Sequence, residues 1–136
     1  MLRRLSFALA LLPLAALAHA ANPVGNWTGR ILVKTPVFPA GYPAAQKADT
    51  LAKIAAVGKG RMNLVLKPDH TYTMHNVGLP FMGKPDTSGT WTQKGASVQL
   101  LQGGRADHQG PLLLDPSGKR MGLTLGKSGA QIVFTR

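Results

Sequence analysis

The stretch Met62-Asn63-Leu64-Val65-Leu66-Lys67-Pro68-Asp69-His70-Thr71-Tyr72-Thr73-Met74 decides the fold. In an extended chain successive side chains point to opposite faces, so Met62, Leu64 and Leu66 share one face. Tyr72 and Met74, alternating with threonines, share one face of the next run. Between the runs, Pro68 pre-sets the backbone of a tight turn and Asp69 can hydrogen-bond back to its own main chain. His70 falls where such a turn favours a positive φ, which histidine tolerates better than most residues. The segment reads as a β-hairpin with one apolar and one polar face.

The same grammar recurs on both sides of it. Leu112 to Leu114, Asp115-Pro116-Ser117-Gly118, and Lys119 to Leu125 form a second hairpin. Gly89 to Gly95 running into Ser97 to Leu101 forms a third, and Leu123 to Leu125, Gly126 to Gly129 and Gln131 to Arg136 form the last. Val24 to Val33 is a strand with Trp27, Ile31 and Val33 in phase. Gly25-Asn26-Trp27-Thr28 and Gly89-Thr90-Trp91-Thr92 read as one motif used twice. The one exception is alanine-rich: Pro43 to Val57, closed by Gly58, predicts a short helix, with proline suited to its first turn and glycine to its stop. Its expected inner stripe is Ala44, Ala48, Leu51 and Ala55, with Gln46, Asp49, Thr50 and Lys53 outside.

The fold class is therefore all-β, an up-and-down antiparallel β-barrel of eight strands with one short helix between strands 1 and 2. The strands are expected near 24–34, 61–66, 71–77, 89–93, 97–101, 111–115, 119–125 and 130–135. Closing the meander leaves no exposed sheet edge. Alternating strand direction puts the short turns 67–70, 94–96 and 115–118 at one end together with both ends of the domain. The long connections 35–60, 78–88 and 102–110 fall at the other. Residue phase assigns the interior to Trp27, Ile31, Val33, Met62, Leu64, Leu66, Tyr72, Met74, Trp91, Val98, Leu100, Leu112, Leu114, Met121, Leu123, Leu125, Ile132 and Phe134. These are mostly large side chains, which favours a filled interior over a roomy cavity.

Residues 1–20 precede this domain and read as a secretory signal peptide. Arg3 and Arg4 supply the positive start, Leu5 to Leu17 the apolar run, and Ala18-His19-Ala20 the small residues of a cleavage site. The run is shorter than the roughly 20 apolar residues of a membrane span and is interrupted by Pro13. A periplasmic or secreted mature chain, residues 21–136, is expected, without a transmembrane segment and as a monomer. The chain has no cysteine, so it has no acylated cysteine of a lipoprotein, no disulfide and no thiolate metal site.

Without Arg3 and Arg4 the mature chain keeps 14 of the 16 Lys and Arg against 5 Asp, a formal charge of +9 (14 − 5). A positive field favours anionic partners. The charges are scattered singly, with no basic run and no interleaved aromatic residues, which argues against nucleic acid.

The hairpin motifs spanning Leu66 to Thr73, Gly89 to Leu100 and Leu112 to Gly118 resemble small bacterial lipocalin-like envelope domains. They are also similar to the N-terminal domain of NlpE-type copper-resistance lipoproteins. The resemblance implies a β-barrel. The cysteines of the NlpE-type family are absent here, so its copper and surface-sensing roles do not carry over.

Chemistry is sparse. No glutamate exists, no carboxylate pair has glycosidase spacing, and the three histidines of the mature chain fall apart in the predicted barrel: His70 in a turn, His75 on the outer face, His108 in a loop. His70, Met74, His75 and Met82 are soft metal ligands by type but not by phase. No catalytic residue, metal or cofactor is expected. The informative feature is the end with the long loops, where Val37-Phe38-Pro39-Ala40-Gly41-Tyr42 and Gly78-Leu79-Pro80-Phe81-Met82 are apolar. Phe38, Tyr42, Leu79, Phe81 and Met82, with Arg105 and His108 for an anionic group, are the candidate mouth residues. Two readings stand: a lipocalin-like, non-enzymatic binder of an amphiphilic or anionic small molecule in the cell envelope, or a protein-interaction barrel such as a secreted hydrolase inhibitor or envelope accessory protein.

Overall fold

A computed structural model describes residues 21–80, 83–106, 110–126 and 129–136. The elements follow in the order β1 (Gly25–Leu32), α1 (Ala44–Lys59), β2 (Arg61–Leu66), β3 (Thr71–Val77), β4 (Asp86–Lys94), β5 (Ser97–Gln102), β6 (Arg105–Ala106), β7 (Leu112–Leu114), β8 (Arg120–Leu125) and β9 (Ala130–Thr135). Every strand pair is antiparallel, and β9 returns to pair with β1, which closes the sheet. The result is a closed eight-stave barrel with one helix between β1 and β2. The signal-peptide reading concerns residues 1–20, which lie outside the described residues.

The sixth stave along the chain is split into β6 and β7. Val98 of β5 faces Leu112 of β7, whereas Leu101 faces Ala106 of the two-residue β6. The Gly103-Gly104 turn, with both φ positive, makes the β5–β6 hairpin. The long connection expected over 102–110 thus contains a tight turn of its own.

Burial follows the period of two. All the residues assigned inward by phase belong to the core or pack against it, and Leu79 joins them from the connection after β3. Aromatic rings lie over inward-facing glycines. Phe134 covers Gly29, whose missing Cβ would stand 2.4 Å from Phe134 Cε1, and Tyr72 covers Gly89, its register partner. The absent side chains make room for rings inside a barrel this narrow.

The two Gly-x-Trp motifs occupy equivalent positions at the closed end. Trp27 Nε1 donates to Pro23 O at 2.8 Å, and Trp91 Nε1 to Lys67 O at 3.0 Å. Arg136 lies over the Trp27 ring at 4.3 Å, while His70, with φ of +65°, stacks on Trp91 at 4.4 Å. Each indole thus keeps its N–H satisfied while burying its ring, as buried tryptophan requires.

The helix departs from expectation in its face. Its half-buried residues are Thr50, Ile54 and Val57, and the expected inner residues Ala44, Ala48, Leu51 and Ala55 are exposed. Ile54 and Val57 lie near the end that is tethered to β2 through Gly60, so short-range geometry orients the helix. An alanine stripe offers too little apolar surface to compete. No helix among the described residues is long and apolar enough to cross a membrane.

Candidate functional site

Strand direction defines two unlike ends. The closed end carries the turns 67–70, 95–96 and 115–119, both termini of the domain, and the interior residues Trp27, Leu66, Tyr72, Trp91, Val98, Leu114, Met121 and Phe134, all buried. At the open end and toward it the interior side chains Val33, Met74, Thr87, Leu100, Leu123 and Leu125 are only half-buried. Among the described residues, the interior is buried throughout its closed end, and toward the other end partly buried apolar side chains stand among the buried Ile31, Met62 and Ile132.

The cover of the open end is lopsided. Leu79 is buried and packs onto Gly60, where a Cβ would lie 2.2 Å from Leu79 Cδ2. This plugs the corner between β2 and β3, one level above the pair Met62–Asn76. Leu79, expected to line the mouth, is therefore its partial cap. Phe38 is half-buried and meets Tyr42 at 5.0 Å between ring centroids, with Lys47 Nζ 5.4 Å from the Phe38 ring. These two aromatic residues form a small cluster beside the start of α1. Arg105 is exposed on β6, at the tip of the hairpin that rises from β5. Phe81, Met82 and His108 lie outside the described residues.

Charge at the open end is mainly positive. Lys34, Arg61, Lys84 and Arg105 lie on its loops and strand ends, and Lys47, Lys53 and Lys59 on α1. The described carboxylates there are already engaged: Asp49 pairs with Lys53 at 2.9 Å, and Asp86 with His75 at 2.6 Å. Arg61 is held at the rim, donating from Nη1 to Gly58 O at 2.9 Å and Gly60 O at 2.8 Å.

Two polar groups interrupt the apolar interior beneath this rim. Asn76 on β3 and Thr87 on β4 both point inward, and Asn76 Oδ1 and Thr87 Oγ1 are buried with no hydrogen-bond partner among the described residues. Sequence reasoning missed them. An Asn and a Thr within strands read as ordinary solvent-facing residues, and only the place of Asn76 in phase with Tyr72 and Met74, and of Thr87 in phase with Gly89 and Trp91, signals otherwise.

The metal-type side chains do not converge. His70 stacks on Trp91 at the closed end, Met74 faces the interior and His75 pairs with Asp86 on the outer wall. Among the described residues no cluster of three or more His, Cys, Asp or Glu could hold a metal ion.

The outer wall carries a separate groove of about 250 Å³ across β7, β8 and β9, where Gly122 leaves a gap between Leu113 and Val133. Leu113 is 59 % exposed, while the outward-facing Val133 is only 5 % exposed. Comparison with protein-family models, curated proteins and solved structures finds no match for this chain.

Proposed function

We propose that the chain is exported and that its mature barrel, residues 21–136, is a non-enzymatic binding protein that takes an anionic amphiphile at its open end. The observation that carries this reading is the asymmetry of the interior. Trp27, Leu66, Tyr72, Trp91, Leu114 and Phe134 toward the closed end are fully buried, whereas from mid-barrel to the open end the partly buried apolar side chains Val33, Met74, Leu100, Leu123 and Leu125 stand among the buried Ile31, Met62, Leu112 and Ile132. The cationic rim supplies the complement for an anionic head group. The export reading rests on the sequence of residues 1–20; Ala21, the first residue after the expected cleavage site, packs on the core and its carbonyl accepts from Gln93 Nε2 at 3.0 Å.

The test is native mass spectrometry of the mature protein purified from its own envelope without detergent, followed by titration with dodecyl phosphate. The expected outcome is an added mass of a few hundred daltons lost on denaturation, and a thermal midpoint that rises with dodecyl phosphate and rises less at high salt. A clean apo mass with no thermal response overturns the reading. The protein-docking alternative draws on one observation, the exposed Leu113 beside the outer groove. It predicts that Leu113→Lys abolishes a stable partner complex, and that the mouth takes up no dodecyl phosphate.

A further inference from the structure

The polar pair inside the open end carries more than its position. Asn76 is 7 % exposed, and its backbone N–H is already used, donating to Pro85 O at 2.7 Å. Thr87 lies opposite Met74, and His75 opposite Asp86, so Asn76 and Thr87 are diagonal neighbours on the inner face of β3 and β4. Around them the interior is apolar: Met62 faces Asn76 across β2–β3, Met74 faces Thr87, and Leu79 lies above. Buried polar groups in folded proteins nearly always find a partner, and leaving one unpaired costs about 1–3 kcal/mol. Valine or leucine at either position would keep the strand alternation without that cost, so the fold alone does not account for the pair.

The chemistry of the two atoms narrows what would satisfy them. Asn76 Oδ1 only accepts, and Thr87 Oγ1 both donates and accepts. A single hydroxyl meets both, donating to Asn76 and accepting from Thr87. A carboxylate or phosphate does not, since it would set a second acceptor against Asn76 Oδ1, and the basic side chains of the open end stand outside the barrel interior, on loops, strand ends and α1. The anionic head therefore belongs at the rim and the hydroxyl inside. Arg61 and Val77 form the outermost pair of β2 and β3, with Met62 and Asn76 next below. At about 3.3 Å rise per residue, hydroxyl and head are separated by only a few bonds.

We propose that Asn76 and Thr87 select an anionic amphiphile bearing a hydroxyl a few bonds from its head group, of the 3-hydroxyacyl type. This rests on the open end being the binding site. The experiment is calorimetric titration of the mature protein with dodecanoate, 3-hydroxydodecanoate and 12-hydroxydodecanoate, each below its micelle concentration. The 3-hydroxy compound is expected to bind about tenfold more tightly than dodecanoate, the equivalent of one hydrogen bond. Thr87→Val and Asn76→Leu are each expected to remove most of that preference, read within each variant as the ratio of the 3-hydroxydodecanoate to the dodecanoate affinity. Thr87→Val is nearly isosteric, so it reports even if Asn76→Leu fails to fold. Equal binding of dodecanoate and 3-hydroxydodecanoate by the wild type overturns the selection and leaves the binding site standing, as does a preference for the 12-hydroxy isomer. No binding of any of the three overturns both.

Discussion

Arg136 joins parts of the closed end that no apolar side chain could join. Its Nε donates to Gly118 O at 2.8 Å, Nη1 to Val24 O at 2.7 Å and Nη2 to Asn22 O at 2.6 Å, while its plane covers Trp27. A planar fork satisfies three carbonyls and a ring face at once, which an ammonium cannot do. Arg136→Ala should therefore lower the unfolding free energy by about 2 kcal/mol, a figure kept low because two of the three bonds are exposed. Urea unfolding measures it, and Arg136→Lys should recover less than half of the loss. The turns carry a different residue effect, one of pH. A hydrogen bond from the Thr71 hydroxyl holds the Asp69 carboxyl below its ordinary range, and one from Ser117 does the same for Asp115. A carboxylate favoured by the fold stabilises it above the unfolded pKa, near 4, and that contribution fades as pH falls through the lower folded value. The urea midpoint should hold from pH 7 to about 5 and drop in acid, with a shallower drop in Asp69→Asn/Asp115→Asn. An unchanged acid limb in the double variant would remove these turns from the account. Such residues differ in how far they can be read in advance. The positive φ of His70 was legible because its cause is the adjacent Pro68-Asp69 turn. The roles of Arg136 and Asn76 were not, because their surroundings come from strands and termini distant in the chain.

Strands and helix differ in the same respect. Large apolar side chains every second residue leave one register that buries them, so the strand positions, the inner set and even the ends of β2 and β3 are written in the pattern. The helix α1 is written weakly: its alanines can face either way at little cost, and the face that docks is chosen by Ile54 and Val57 close to the tether at Gly60. It has no side-chain N-cap bond and no fully buried residue. A helix of 16 residues held this loosely is close to the length at which isolated helices are marginal. Its amides should exchange with solvent at least a hundredfold faster than those at the centres of β1, β2 and β9, as the local opening free energy falls well below the global one. Ile54→Asp should widen that gap without changing strand protection. Strand-like protection throughout α1 would mean that the helix belongs to the barrel's cooperative unit. The split of the sixth stave into β6 and β7 is another feature the pattern hides, since nothing in the alternation says that Leu101 pairs with Ala106 and Val98 with Leu112.

Closure ties these pieces into one molecule with two unequal ends, and the sorting of loop lengths already separated them: short turns and termini below, long connections above. Which end would be plugged, and by what, required the three-dimensional contacts of Trp27, Trp91 and Arg136. If the closed end is where stability is concentrated, the chain should tolerate being cut at the open end and resist being cut at the other. The termini meet through Arg136 and Asn22, so a short linker can join residue 136 to residue 21. New ends between Gly103 and Gly104 fall in an exposed turn where no neighbour lies within 4 Å of either missing Cβ. That permutant should unfold cooperatively and lose no more than about 1–2 kcal/mol, since little beyond the β5–β6 turn is disturbed. New ends between Asp69 and His70 instead release the His70–Trp91 stack, the bond from Trp91 N–H to His70 O at 2.8 Å and the indole bond to Lys67 O. The cost there should be at least about 3 kcal/mol, with the near-ultraviolet tryptophan signal reduced before the barrel unfolds. Equal stability of the two permutants would show that closure of the sheet, and not the packed lower end, holds the fold. The open end would then have no special freedom to admit a ligand.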